Sequence, residues 1–161
     1  MSTRQFERTV RQSLLDRLID DPEHPEPRNW QESVAAFKTS VMRDLEWLLN
    51  TRRVHPPAPE SLNLVRSSVY HFGLRDLSSR SAESMETRVQ LQREVQDAIT
   101  TFEPRLSKVR VTLVPPAPGE RRIRFQIEGE LRTDPSPEAV LFETTLDVAT
   151  KAIAVQDSAD A

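Results

Sequence analysis

The 161-residue chain has no cysteine and only three glycines, Gly73, Gly119 and Gly129. The first absence excludes disulfides, thiolate zinc sites and cysteine nucleophiles, and it fits a reducing cytoplasm. Glycines so few and scattered build no phosphate-cradling loop. Neither sign of charge dominates: the net charge is -3. A nucleic-acid binder carries a strongly basic surface, so nucleic acid is not an expected partner. No apolar run approaches the roughly 20 residues of a membrane span. Residues 1–8 already carry an acid, Glu7, and lack the apolar core of a secretory signal. The expected location is inside the cell.

Catalytic chemistry is sparse as well. His24, His55 and His71 have no metal-ligand spacing, and His71 reads as a surface residue at a helix end. No nucleophile elbow surrounds a serine. No cofactor, metal or small-molecule substrate is expected. Glycoside hydrolysis needs only two carboxylates at the right separation. Glu103, with Asp76 in a turn that could approach it, is the one pair to consider.

What the chain does have is clear periodicity. Phe6, Val10, Leu14 and Leu18, widened by Leu15 and Ile19, predict an amphipathic helix within 1–21, capped by Ser2 or Thr3. A proline-rich linker, 22–30, follows and leaves this helix as a candidate partner-facing element. A second helix is predicted over 31–52, with Val34, Phe37, Val41, Leu45 and Leu48 on one face and Trp47 and Leu49 beside them; Phe37, Trp47 and the leucines are read as core. Ser61 caps a third, whose stripe is Leu62, Val65, Val69 and Phe72, ending at Gly73. A fourth covers 82–102, with Met85, Val89, Ile99 and Phe102 near one face and Leu91, Val95 and Ala98 beside them.

Beyond Pro104 the period falls from 3.6 to 2. Val109, Val111 and Leu113 form one alternating run; Ile123, Phe125, Ile127 and Leu131 a second; Val140, Phe142 and Leu146 a third. Proline turns separate them. The expected fold is therefore two-layer α+β, with N-terminal helices packed on a C-terminal three-stranded antiparallel meander. Residues 31–149 form the domain and 150–161 a polar, frayed tail. Neither edge of such a meander is blocked, so an edge is open to strand addition by another chain.

Eleven of the twelve prolines lie in four loop clusters; Pro104 stands alone, where helix gives way to strand. It forces Glu103 out of helical geometry, and Glu103 at a helix end opposes the macrodipole. Arg105 beyond the turn suits bidentate pairing with a carboxylate, or capping of the helix carbonyls. Glu103, Pro104 and Arg105 are accordingly the candidate partner-binding residues.

Phe102-Glu103-Pro104-Arg105-Leu106 carries a resemblance. With Ser13-Leu14-Leu15-Asp16-Arg17-Leu18, the stretch Arg43-Asp44-Leu45-Glu46-Trp47-Leu48-Leu49-Asn50-Thr51-Arg52, and Phe142-Glu143-Thr144-Thr145-Leu146-Asp147, it resembles the TssE family, small baseplate wedge subunits of type VI secretion systems. That family is similar to the lysozyme-like wedge subunit of contractile phage tails. Two departures fall in one stretch: His71-Phe72 replaces an Asn-Tyr pair, and Arg75 stands where proline is usual. The resemblance implies a non-enzymatic baseplate protein in the cytoplasm, docked at the inner membrane. Its implied partners are TssF and TssG, TssK within the baseplate, and the sheath proteins TssB and TssC. The old family label leaves a peptidoglycan-cleaving lysozyme as the alternative.

Overall fold

The computed structural model describes residues 10, 12–18, 27–53, 56, 58–59, 61–75, 84–115 and 122–158. The architecture is α+β, with helices on one face of an antiparallel sheet.

Helix α1 is short, Leu14–Leu18. Ser13 caps it, its Oγ accepting from the Asp16 N–H at 3.1 Å. Val10 lies outside the helix, which corrects the predicted stripe. Ser2, Thr3, Phe6, Ile19 and most of the proline linker lie outside the described residues. Helix α2, Trp30–Asn50, starts one residue earlier than its periodicity suggests. Asn29 accepts from the Glu32 N–H, which satisfies one orphan donor, and the Glu32 carboxylate accepts in return from the Asn29 side-chain amide and the Arg28 N–H before the cap. Phe37, Val41, Leu45, Leu48 and Leu49 are buried on its inner face. Trp47 is not core: it is 55% exposed, with the Arg43 guanidinium over its ring.

The third predicted helix breaks into a single turn, α3 (Asn63–Arg66), and a 3₁₀ turn, Val69–His71. The predicted stripe is not a core face, since Leu62 is exposed and Val69 is 90% exposed. Ser61 does not cap α3; the N-cap position is Leu62, which makes no side-chain cap bond. Gly73 does take the left-handed conformation after the 3₁₀ turn, at φ 96°. A short parallel pair joins β1 (Arg52–Arg53) to β2 (Leu74–Arg75) here. Helix α4, Met85–Phe102, buries Leu91, Val95, Ala98 and Ile99; Met85 is exposed.

Among the described residues four strands rather than three make the sheet: β3 (Leu106–Val114), β4 (Arg122–Leu131), β5 (Glu138–Asp147) and β6 (Ile153–Asp157), in that order and antiparallel. The fourth comes from the stretch expected to fray. Its alternation is short, but Ile153 is buried, and each apolar side chain so buried is worth about 1.5–3 kcal/mol. The inner face is lined by Val111, Ile123, Phe125, Ile127, Leu131, Val140, Phe142 and Leu146, all in the core with the α2 and α4 stripes. Strand β3 begins before the predicted alternation because of a bulge. Its register against β4 shifts between Ser107 and Arg110, and Lys108 sits at φ 54°. The extra residue is what lets Leu106 and Val111, five positions apart, both be buried.

Both sheet edges are partly closed, against expectation. On β3, the Val111 C=O accepts from Gln92 Nε2 at 2.8 Å, and the Val111 N–H donates to Gln96 Oε1 at 3.1 Å. On β6, Asn50 does the same alone. Its Oδ1 accepts from the Ile153 N–H at 2.9 Å and its Nδ2 donates to the Ile153 C=O at 2.7 Å. Each helix thus lends side-chain amides in place of a neighbouring strand, blunting a row of backbone groups that would otherwise pair.

Candidate functional site

The Glu103–Arg105 corner is set by three elements. Helix α4 ends at Phe102, and Glu103 leaves helical geometry at φ -116°, ψ 80°, its N–H still reaching the Ile99 carbonyl at 2.9 Å. Pro104 is exposed at the turn. Arg105 then enters the sheet side, where its carbonyl accepts from the Arg132 N–H at 2.8 Å.

Glu103 is only 4% exposed, and Arg105 holds it. Glu103 Oε1 accepts from the Arg105 backbone N–H at 3.1 Å and from its Nε at 2.7 Å; Oε2 pairs with Nη2. The guanidinium turns next to α2. Nη2 also donates to Asp44 Oδ2 at 2.6 Å, and Nη1 donates to Ser40 Oγ at 3.1 Å. The Phe37 ring lies 5.8 Å from the guanidinium carbon. Burial works against the Arg105 charge, but the Glu103 and Asp44 carboxylates outweigh it and hold its pKa above the usual arginine value. So the fork pairs with carboxylates, and it does not cap the α4 carbonyls.

The network continues outward. Arg43 donates from Nε to Asp44 Oδ1 at 3.1 Å and from Nη1 to Asp16 Oδ1 at 2.7 Å. Ser13 Oγ donates to Asp16 Oδ2 at 2.5 Å. Burial raises the Asp16 pKa, yet the Ser13 and Arg43 contacts prevail and lower it. The result is a ladder of alternating charge, Asp16–Arg43–Asp44–Arg105–Glu103, tying α1 to α2 and α2 to the corner.

Sequence reasoning finds Glu103, Pro104 and Arg105 but not Ser40 and Asp44. The signal was present: both interrupt or border the apolar stripe of Phe37, Val41, Leu45 and Leu48 at helical spacing. Asp76, the carboxylate that would pair with Glu103 in a glycosidase, lies outside the described residues. His71 is buried rather than on the surface, and its Nε2 accepts from the Ala58 N–H at 2.8 Å. Among the described residues, no group of three His, Asp or Glu side chains could hold a metal ion. Nor is any described helix long and apolar enough to cross a membrane.

The model of the family described as baseplate wedge protein gp25 matches residues 35–136, more than half of the chain and including the whole corner and its α2 partners. The chain belongs to this family, and its class is that of phage-tail-like baseplate proteins. Among solved structures, a "putative tail lysozyme" from Geobacter sulfurreducens is similar at 20% identity and a TM-score of 0.45, covering 66% of this chain and 87% of that one. No curated protein matches.

Proposed function

We propose that this chain is the TssE-type wedge subunit of a type VI secretion baseplate, a structural protein that joins TssF and TssG, beside TssK, and helps the TssB–TssC sheath to start. The observation that carries the reading is the corner inside the matched stretch. Its Glu103–Arg105 pair is fixed by Asp44 and Ser40, and Pro104 stands exposed between them. A turn held this rigidly presents a partner with one defined shape, which lowers the ordering cost of docking. Sheath strands joining the sheet have to displace the Asn50 amide or the Gln92–Gln96 pair from the edge they use.

An enzymatic role draws little support from this geometry. Both Glu103 oxygens are taken up by Arg105 and the residue is buried, so neither is presented to a glycoside. The test of the structural role is co-purification of the full chain with TssF and TssG. Wild type is expected to be retained. Arg105→Lys, which keeps a charge but loses the fork, is expected to be released while its melting curve shows a folded protein. Failure of the folded wild type to be retained sinks the proposal.

A further inference from the structure

A groove of about 530 Å³ opens between the α3–3₁₀ stretch and α4, and it shares no residue with the Glu103–Arg105 corner. Among the described residues its charged and titratable lining is Arg53, Arg66, Arg75, His71, Glu94 and Asp97. Arg75 and Glu94 pair with each other. Asp97 stands exposed on the α4 wall. That leaves Arg53 and Arg66 on the opposite wall, and neither makes an ion pair among the described residues. Arg53 donates from Nη2 to the Gly73 carbonyl at 2.9 Å, while its Nε is buried with no acceptor. Arg66 reaches into water.

The two guanidiniums act on the same imidazole. Burial, then Arg53, then Arg66 push the His71 pKa down, so the ring stays neutral and accepts the Ala58 N–H. Burial and Arg75 likewise depress Arg53, with Glu94 opposing them in part. Among the described residues Glu94 and Asp97 offset the three arginines of the groove only in part, and an arriving carboxylate meets the excess.

We propose that this groove binds an acidic peptide segment of a partner protein, with Arg53 and Arg66 taking its carboxylates. Two observations favour a peptide over a small or densely charged anion. Leu64 and Val69, on the same stretch as Arg66, are 86% and 90% exposed, and Leu62 is exposed beside them. A protein segment covers such side chains; a free anion does not. The lining sets three arginines against two acids, so its excess positive charge is small and suits carboxylates spaced along a segment better than a densely charged anion.

The probe is an N-acetylated, C-amidated peptide of alternating leucine and glutamate, titrated into the ¹⁵N-labelled full chain. Saturable shifts are expected at the Ser67 and Thr101 amides. Arg66→Ala, at an exposed residue with no ion-pair partner among the described residues, is expected to weaken binding about tenfold, as loss of one charged contact does. Arg66→Glu is expected to abolish it. The leucine–glutamine peptide is expected to give no saturation. The proposal is overturned if that neutral peptide binds equally, if Arg66→Ala leaves affinity unchanged, if no shift saturates, or if inorganic phosphate binds as tightly as the acidic peptide. None of these readouts depends on the wedge proteins, so this inference and the baseplate reading fail separately.

Discussion

Arg105 reaches back 61 positions to Asp44 with the same nitrogen that it turns to Glu103, and it stands 2.6 Å from the Asp44 carboxylate. One guanidinium therefore fastens the end of α4 to the middle of α2.

Removing that guanidinium leaves a buried carboxylate with no counter-charge. Arg105→Ala is expected to cost about 3–5 kcal/mol, the range for breaking a buried pair by deleting one partner. Adding Glu103→Gln is expected to return part of the loss, since the stranded charge is then gone. Urea unfolding of the two single variants and the double reads both effects; additive losses would show that the pair is not coupled.

The edge clamps give a second expectation. Asn50→Ala removes two hydrogen bonds from Ile153, each worth about 1 kcal/mol net. Amide exchange at Ile153 should quicken while that at Val111 stays slow, and Gln96→Ala should do the reverse. Equal quickening at both edges in either variant would mean that the clamps are not local.

Gly73 has no room for a side chain. At φ 96° a Cβ would lie 2.3 Å from the Thr51 carbonyl oxygen. Gly73→Ala is expected to destabilise by roughly 1–3 kcal/mol or more and to loosen the β1–β2 pair, because both the backbone conformation and the space are wrong. A melting temperature within error of wild type would refute this.

Acid should act in two windows. The His71 pKa is depressed from its ordinary 6.5, chiefly by burial and then by Arg53 and Arg66. As pH falls below that value the unfolded chain takes the proton first, so stability drops until the lowered pKa is passed. The Asp16 pKa lies below its ordinary 3.8 despite burial, through Ser13 and Arg43. Its contribution is present above that value and is lost as pH falls through the lowered one. Urea midpoints between pH 7.5 and 5.5 should decline in wild type and decline less in His71→Gln; parallel declines would remove His71 as the cause.

Cell-wall chemistry is checked directly. The purified protein is expected not to clear a peptidoglycan suspension, and Glu103→Gln should leave the turbidity trace unchanged. Clearing that Glu103→Gln abolishes would establish a glycosidase.

Much of this architecture was legible in the chain. Helix α2, helix α4 and three strands announce themselves because one face of each is buried, and burial imposes a period on the sequence. The Glu103-Pro104-Arg105 corner is legible for a different reason, since proline acts on the residue before it whatever the tertiary context. Strand β6 was not legible: Ile153 and Val155 alternate with Ala154 and Gln156 over only five residues, too short a run to stand out from a polar tail. The bulge at Lys108 hid the start of β3 by putting Leu106 out of phase with Val109. Val69 was misread because the helix that would carry it breaks into two separate turns, and Trp47 because helical spacing says which residues share a face and not whether anything covers it. The edge clamps were invisible for the same reason. Asn50 and Ile153 are 103 positions apart, and nothing local links them.

That separation has a consequence for how the protein is made. Helix α2 is complete when Asn50 is, but the strand it grips does not exist for another hundred or so residues of synthesis. Until then α2 has a bare flank, along with the Lys38 ammonium that later pairs with Asp157. On the ribosome, where domains emerge at about 5–20 residues per second, this leaves an interval of seconds with an unfinished sheet edge and an unoccupied amide facing it. A chain stalled before Ile153 should therefore be the form that chaperones hold and that sticks to other copies of itself.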